Sequence, residues 1–297
     1  MKKVSIIIVT YNSEKDIYDC IDSIRAFADI PIEEIELIIV DNNSHEPNAM
    51  FEKLKSLWGE DIILIENTHN GGYGQGNNVG IAHSSAPIIL IMNPDVRLNA
   101  PFFRKPLSAF ESDGNLIMYG MKQMYTKTLQ SRSSFCCTYM MNGYLRTIIE
   151  GICNRLEWYC PSFQYFSGSC FYVRKSMFEK VGLFDESVFM YGEEDDIHYR
   201  LMKRFGPHFR YDKTIQYLHL TSDREPNVDY EMKFIKVALY QHEKKGYSKE
   251  KTLKNFLRLY RVLYWREYIR IKFGKDDKRY LMLRQMLNNI KVLMNEK

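Results

Sequence analysis

Apolar positions in the first hundred residues fall into short runs separated by stretches with helical spacing. Val4–Thr10 is a nearly continuous β-branched run, the pattern of a strand covered on both faces. In residues 14–27, Ile17, Cys20, Ile21 and Ile24 recur at helical spacing behind Ser13, a candidate N-cap. Residues 36–40 form a second apolar run, and residues 47–58 read as a helix with Pro47 in its first turn. Residues 62–65 predict a third strand, the Gly/Asn-rich residues 70–80 lead into a short helix, and residues 87–92 predict a fourth strand. Strands alternating with helices predict βαβ units and a mostly parallel sheet flanked by helices. Residues 121–165 mix Met, Tyr, Cys and Ser without clear period and read as a long excursion over the sheet. A strand at 171–173, a short helix at 175–181, a helix over 195–205 and a strand over 209–220 follow. From Tyr230 onward the pattern is mostly helical.

In parallel sheets, ligands collect at the carboxyl ends of the strands. Three predicted strands end in Thr10-Tyr11-Asn12, Asp41-Asn42-Asn43 and Asn93-Pro94-Asp95. Each cluster alone is an ordinary turn; three together point to a binding edge. The glycines of residues 70–80 do not keep the spacing of a dinucleotide fingerprint and precede no P-loop lysine. They suit either a close approach of backbone to a ligand or a surface turn. Asp95 outside a sheet edge suits a hard divalent cation bridging to phosphate, and Asn-Pro-Asp is equally a good turn. Glu193, Glu194, Asp195 and Asp196 are consecutive. Crowded carboxylates raise one another's pKa and suit a general base, and an acidic helix start gives the same pattern. His219 ends an apolar run and becomes a metal ligand only where it meets Asp95 in space.

Composition narrows the class. The 297 residues are 45% apolar and 26% charged, enough core for one large α/β domain or a domain with an appendage, and too apolar for general disorder. There is no apolar run of about 18 residues, and no cleavage site follows the short apolar start. The six cysteines form no Cys-x-x-Cys pair and read as reduced thiols of a cytoplasmic protein. The net charge of +4 averages two unlike parts. Residues 244–297 hold 16 Lys/Arg and 5 Asp/Glu, a balance of +11, and the rest holds 25 and 32, a balance of −7. An acidic body without a recognition motif argues against nucleic acid as partner.

The motifs also occur in a telling order. Thr-Tyr-Asn is followed by Val-Asp-Asn-Asn-Ser, Asn-x-Gly-Tyr-Gly-x-Gly-Asn-Asn-x-Gly, Met-Asn-Pro-Asp-Val, Ser-Gly-Ser-Cys-Phe-Tyr-Val-Arg and Tyr-Gly-Glu-Glu-x-Asp. Over residues 3–222 this resembles the family 2 glycosyltransferases of GT-A fold, and within them the rhamnosyltransferase-like branch of bacterial polysaccharide assembly. The resemblance implies a Rossmann-like, mostly parallel mixed sheet in residues 1–225 and a basic helical extension in residues 226–297. It implies an inverting transfer from a nucleotide-diphosphate sugar, dTDP-rhamnose or a UDP-sugar, with Mn2+ or Mg2+, to a glycan or polyprenyl-linked glycan. By position, Thr10, Tyr11, Asn12, Asp41, Asn43, Gly72, Asn77, Asn78, Asn93 and Gly168 would bind the donor. Asp95 and His219 would hold the metal, Glu194 or Glu193 would act as base, and Trp158 and Tyr191 would meet the acceptor. A non-catalytic sugar-binding protein is the competing reading, although the base and metal positions are intact. In the basic tail, Trp265, Tyr268 and Ile269 interleave with Arg261, Arg266 and Arg270. That pattern suits an interfacial helix on the inner membrane face, or a helix packed on the body or on a second copy of the chain.

Overall fold

The computed structural model describes residues 1–131, 133–138, 143–220, 227–274 and 276–296. The predicted alternation is present. β1 (Val4–Thr10), α1 (Glu14–Ala26), β2 (Ile35–Asp41), α2 (Pro47–Trp58), β3 (Ile63–Glu66), α3 (Tyr73–His83) and β4 (Ile88–Met92) follow in order. Ser13 does not cap α1 through its side chain; its hydroxyl turns back to Tyr11, and its carbonyl starts the helix instead. Then come β5 (Val96–Leu98), α4 (Arg104–Ser112), β6 (Met118–Met124), β7 (Phe135–Cys137), α5 (Gly143–Leu156), β8 (Gln164–Phe166) and β9 (Cys170–Arg174). The chain continues through α6 (Lys175–Lys180), α7 (Glu193–Phe205), β10 (Phe209–His219), α8 (Val228–Lys244), α9 (Lys249–Lys272) and α10 (Lys278–Asn295).

Eight strands form one mixed sheet in the order β3-β2-β1-β4-β9-β6-β10-β5, and β7 pairs with β8. β1 runs parallel to β2 and β4, with Thr10 beside Asp41 and Ile7 beside Ile91. β9 is antiparallel to β4 and sets Cys170 beside Met92, so its start lies at the carboxyl end of β4. β10 runs parallel to β6 and antiparallel to β5, and places His219 opposite Val96. Residues 121–165 therefore supply an interior strand, a helix and a ribbon, more structure than the expected excursion. β6 reads Met-Tyr-Gly-Met-Lys-Gln-Met; it lacks the β-branched residues that mark strands, and neighbours on both sides hold it.

The sheet core is apolar on both faces, with Ile6, Ile8, Leu37, Ile39, Leu90 and Tyr172 buried on one and Ile7, Ile38, Val40, Ile89 and Ile91 on the other. Each fully buried aliphatic side chain contributes roughly 1.5–3 kcal/mol. The glycines of α3 are used for packing rather than for approach to a ligand. A Cβ at Gly80 would lie 2.5 Å from Ile7 Cγ2, and one at Gly76 would lie 2.7 Å from Val9 Cγ1. Without side chains there, α3 lies directly on β1.

The chain divides into two compact units, Met1–Cys136 with Cys153–Thr221, and Cys137–Ile152 with Ser222–Lys297. The expected boundary at 225/226 lies outside the described residues. In the second unit α8, α9 and α10 enclose Ile235, Leu253, Phe256, Tyr260, Leu283, Met286 and Ile290. Gly80→Ala should lower stability by about 1–3 kcal/mol through that overpacking. Gly151→Ala, where no atom lies within 4 Å of the added Cβ, should gain roughly 0.5–1 kcal/mol of helix propensity. Denaturant midpoints of the two variants measure both.

Candidate active site

The edge holding the carboxyl ends of β1, β2, β4 and β10 gathers most of the residues singled out in the sequence. Thr10 and Asp41 end adjacent parallel strands, and both are fully buried. Thr10 Oγ1 donates to Asp41 Oδ1 at 3.0 Å, Ser44 Oγ to the same oxygen at 2.6 Å and Ser44 N to Oδ2 at 2.8 Å. Asp41 thus frames the edge, with both carboxylate oxygens engaged. Ser44 Oγ also accepts from Asn12 N, and Asn12 Oδ1 accepts from His45 N. This web holds Asn12 (φ 49°) and Asn43 (φ 63°) in the left-handed region, a conformation Asn tolerates better than most residues. Tyr11, at the tip of β1, is 52% exposed and is presented outward. Ser44 carries no motif of its own in the sequence; only its place three residues after Asp41 marks it as a turn partner.

Behind this web, Asn42 Nδ2 donates to the Gly72 carbonyl at 3.0 Å, and Asn67 Nδ2 donates to Asn42 Oδ1. Gly72 has φ 91°, and a Cβ there would lie 1.9 Å from the Phe189 carbonyl oxygen. Asn77 donates to Tyr73 O and keeps a buried Oδ1 with no partner among the described residues. Asn78, also expected to bind the donor, has its amide bonded within the chain. Its Nδ2 donates to Phe184 O and Glu186 Oε1, and its Oδ1 accepts from Phe184 N. The amide is consumed in stapling α3 to the loop before α7.

The second group centres on Ser167-Gly168-Ser169, just before β9. Asn93 N donates to Ser169 O at 2.8 Å, which joins the exit of β4 to this loop. Ser169 Oγ reaches Gln123 and Tyr217 of β6 and β10. Tyr73 Oη donates to Gly168 O at 2.6 Å. A Cβ on Gly168 would sit 1.9 Å from Glu194 Oε1, so glycine at this position is what lets the carboxylate in. Tyr73 and Gln123 escaped sequence reasoning; Tyr73 lies in a glycine-rich run, where it read only as spacing.

α7 opens with the four acidic residues, placed favourably at its positive end. Tyr191 and Gly192 both carry positive φ, 80° and 87°, an unusual conformation for a bulky residue. Asp196 is paired with Arg200 at 2.7 Å, and Arg200 Nη2 also donates to Leu183 O. Glu193 is buried and its Oε1 has no partner among the described residues. Burial, then the charge of Glu194, pushes Glu193 up to about 8. Burial also raises Glu194, although its own N–H and those of Gly168 and Gly192 favour the charged form. Tyr73 is held well above its ordinary value by burial and by both glutamates. The two glutamates titrate as a pair. Glu193 is enclosed, and Glu194 is partly buried as a residue with its carboxylate tucked against Gly168.

The third group is Asp95 with His219. The β5–β10 pairing brings His219 Nε2 to 3.3 Å from Asp95 Oδ1, and Leu220 N donates to Asp95 O. His219 Nδ1 is buried without a partner among the described residues. A carboxylate beside an imidazole suits Mn2+ or Mg2+ by ligand type. No group of three or more His, Cys, Asp or Glu side chains among the described residues forms a metal site by itself. Trp158 is 56% exposed and packs at one edge on Phe163 at 5.9 Å.

A family model described as glycosyl transferase family 2 matches residues 5–182. The chain is 29% identical over 203 residues to the low-salt glycan biosynthesis hexosyltransferase of Haloferax volcanii, covering 66% of this chain and 61% of that protein. It is 30% identical over 125 residues to the poly(ribitol-phosphate) beta-N-acetylglucosaminyltransferase of Staphylococcus aureus, covering 41% and 21%. The chain thus spans less than two thirds of the length of either relative. Among solved structures, a Pyrobaculum calidifontis mannosyltransferase in complex with GDP-Man and Mn2+ superposes with a TM-score of 0.64 at 13% identity, covering 98% of this chain and 86% of that one. Residues 1–349 of the S. aureus enzyme with UDP-GlcNAc give a TM-score of 0.55 at 17% identity, covering 86% and 71%. These likenesses establish the α/β GT-A fold. With the family match running over more than half of its length, the chain belongs to glycosyl transferase family 2.

Proposed function

We propose that this chain is an inverting, metal-dependent glycosyltransferase of cell-surface polysaccharide assembly. It moves a hexose from a nucleotide-diphosphate donor to a hydroxyl of a glycan or polyprenyl-linked glycan at the cytoplasmic membrane face. The observation that carries this reading is the Ser167-Gly168-Ser169 joint. It contacts the exit of β4 through Asn93 on one side and admits Glu194 on the other. In this reading that joint ties the base to the phosphate-facing edge.

In this reading Tyr11, Asn12 and Asn43 receive the base and ribose over the frame made by Thr10, Asp41 and Ser44. Asp95 and His219 would hold Mn2+ or Mg2+, which supplies positive charge against the diphosphate. Glu194 accepts the proton of the acceptor hydroxyl as that oxygen bonds to the anomeric carbon. The bond from that carbon to the diphosphate breaks on the opposite face, and the configuration inverts. Burial, with the charge of Asp195, raises the affinity of Glu194 for a proton and makes it a stronger base. Trp158 and Tyr191 would border the acceptor. The motif order supports dTDP-rhamnose as donor. A UDP-sugar is the second reading, supported by the UDP-GlcNAc bound in the S. aureus structural relative.

Melting the protein against dTDP-rhamnose, UDP-GlcNAc, UDP-galactose and UDP-galactofuranose, with Mn2+ or with EDTA, tests the donor. A donor at about 100 times its Kd should add about 2.7 kcal/mol, and EDTA should remove most of that gain. A shift with uridine donors alone would exclude rhamnose, and no shift with any of the four would exclude both donor readings.

Glu194→Gln should lower turnover by about 10²–10⁴-fold while preserving the donor-induced melting shift. Gly168→Ala should also lower turnover at least tenfold by displacing the Glu194 carboxylate. Its stability should change by less than about 1 kcal/mol, because the clash falls on the end of a flexible side chain.

Transfer should rise with pH through an apparent pKa above 4.5, since the base must be ionised and both glutamates are raised. Asp195→Asn should move that apparent pKa down, because the Asp195 charge raises Glu194. Folding favours protonated Glu193, so its contribution to stability is complete below pH 4.5 and is lost as pH rises towards about 8. The melting temperature of Glu193→Gln should therefore gain on the parent between pH 5 and pH 8.5, as scans across that range would show.

A further inference from the structure

The two halves of α9 differ in what surrounds them. Phe256, Leu257 and Tyr260 lie in the core of the second unit with Leu283, Met286 and Ile290. Beyond Tyr260 the outward side carries Trp265, Ile269 and Phe273, which are 59%, 55% and 80% exposed. Their four-residue spacing sets them along one stripe. Arg258, Arg261, Arg266, Arg270 and Lys272 are exposed around it.

Between residues 251 and 275 the acidic residue present is Glu267, which is buried. It accepts from Arg266 Nη2 at 3.1 Å and Arg270 Nη1 at 2.8 Å, and Arg279 Nε of α10 lies 4.0 Å away. One inward carboxylate therefore orients three guanidiniums, each about half exposed. Their remaining N–H donors face outward, ready for phosphate oxygens. Beneath the stripe, Tyr264 stacks on Tyr280 at 4.8 Å and Trp265 meets Tyr268 edge-on at 5.6 Å.

We propose that this face of α9 seats on an anionic lipid bilayer. Trp265, Ile269 and Phe273 enter the headgroup boundary, and the surrounding arginines and Lys272 meet lipid phosphates. A second copy of the chain is a poorer occupant, because two such faces would set arginine against arginine, the exposed acids nearby being Asp276 and Asp277 past the end of α9. No helix among the described residues is long and apolar enough to cross a membrane, so the contact is a surface seat. It requires neither donor nor turnover, and it stands or falls separately from the sugar chemistry.

Flotation of the full chain with phosphatidylglycerol/phosphatidylcholine vesicles, against phosphatidylcholine vesicles alone, tests it. Binding to the anionic vesicles should be at least tenfold tighter and should weaken in about 0.5 M salt. Arg266→Gln with Arg270→Gln should cost about fivefold per arginine, and Trp265→Ser with Ile269→Ser at least tenfold. Trp265 and Ile269 are exposed, so the thermal melt of that variant should match the parent, whereas the arginine variant, which strips the buried Glu267 of two partners, should melt lower. Leu145→Ser with Ile148→Ser provides a control on α5, where the exposed apolar stripe is bordered by fewer cations, Arg155 and an Arg146 that pairs with Glu150; it should leave affinity within twofold. The proposal is overturned by unchanged vesicle binding in the α9 variants, or by loss of binding in the α5 variant. A parent dimer that Trp265→Ser with Ile269→Ser dissociates while vesicle binding persists would overturn it too.

Discussion

Covering the sheet on both faces decides where polar chemistry can reside in this protein. Along β1, β2 and β4 nearly every side chain is apolar and buried, and any polar group there must find a partner inside the protein. Ser5 and Glu36 meet that demand at the amino ends of β1 and β2. The Glu36 carboxylate accepts from Ser5 and from Ser85 N and Oγ, bonds that hold it below the usual carboxylate range despite burial. At the carboxyl ends the same demand produces the Thr10–Asp41–Ser44 web. Groups that must meet a solvated ligand are consequently displaced to the first residues beyond each strand, where Tyr11, Asn12, Asn43 and Asp95 lie.

The site also depends on close approach. Gly80 and Gly76 let α3 lie on β1, which carries Tyr73 to the Gly168 carbonyl and Asn78 to the loop that leads into α7. Gly168 in turn leaves room for Glu194. Each contact trades side-chain volume for proximity, and together they put two glutamates into a space too enclosed for both to ionise easily. The Asp196–Arg200 pair plays a different part. It is satisfied, and through Arg200 it ties the helix start to the carbonyls of Val181 and Leu183.

Much of the first hundred residues was legible because buried parallel strands read as apolar runs and their helices keep a period of 3.6. β6 was not, because its strand character comes from neighbours on either side rather than from β-branched residues, and β8, three residues paired with β7, is too short to show a period. The glycine-rich stretch was legible as unusual but not in its purpose: whether a glycine meets a ligand or a strand depends on what faces it. Asn78 shows the same limit. An Asn in a polar motif looks like a ligand contact until both ends of its amide are found bonded to the chain. In the tail, the interleaved aromatics and arginines announced an amphipathic helix, and only packing separated Phe256, Leu257 and Tyr260 from the outward Trp265, Ile269 and Phe273.

By itself the sequence determined the fold class, the edge of the sheet where polar residues gather, the crowding of four carboxylates at one helix start, and the contrast between an acidic body and a basic end. These follow from neighbours along the chain, whose spacing alone sets periodicity and local charge. Tertiary structure decided that His219 meets Asp95 across β5 and β10, that Gly168 makes room for Glu194, and that Asp41 frames the edge through Ser44 and Thr10. Those relations join residues between 3 and 124 positions apart in the sequence. Most of them exist only because the sheet brings distant strand ends to one edge.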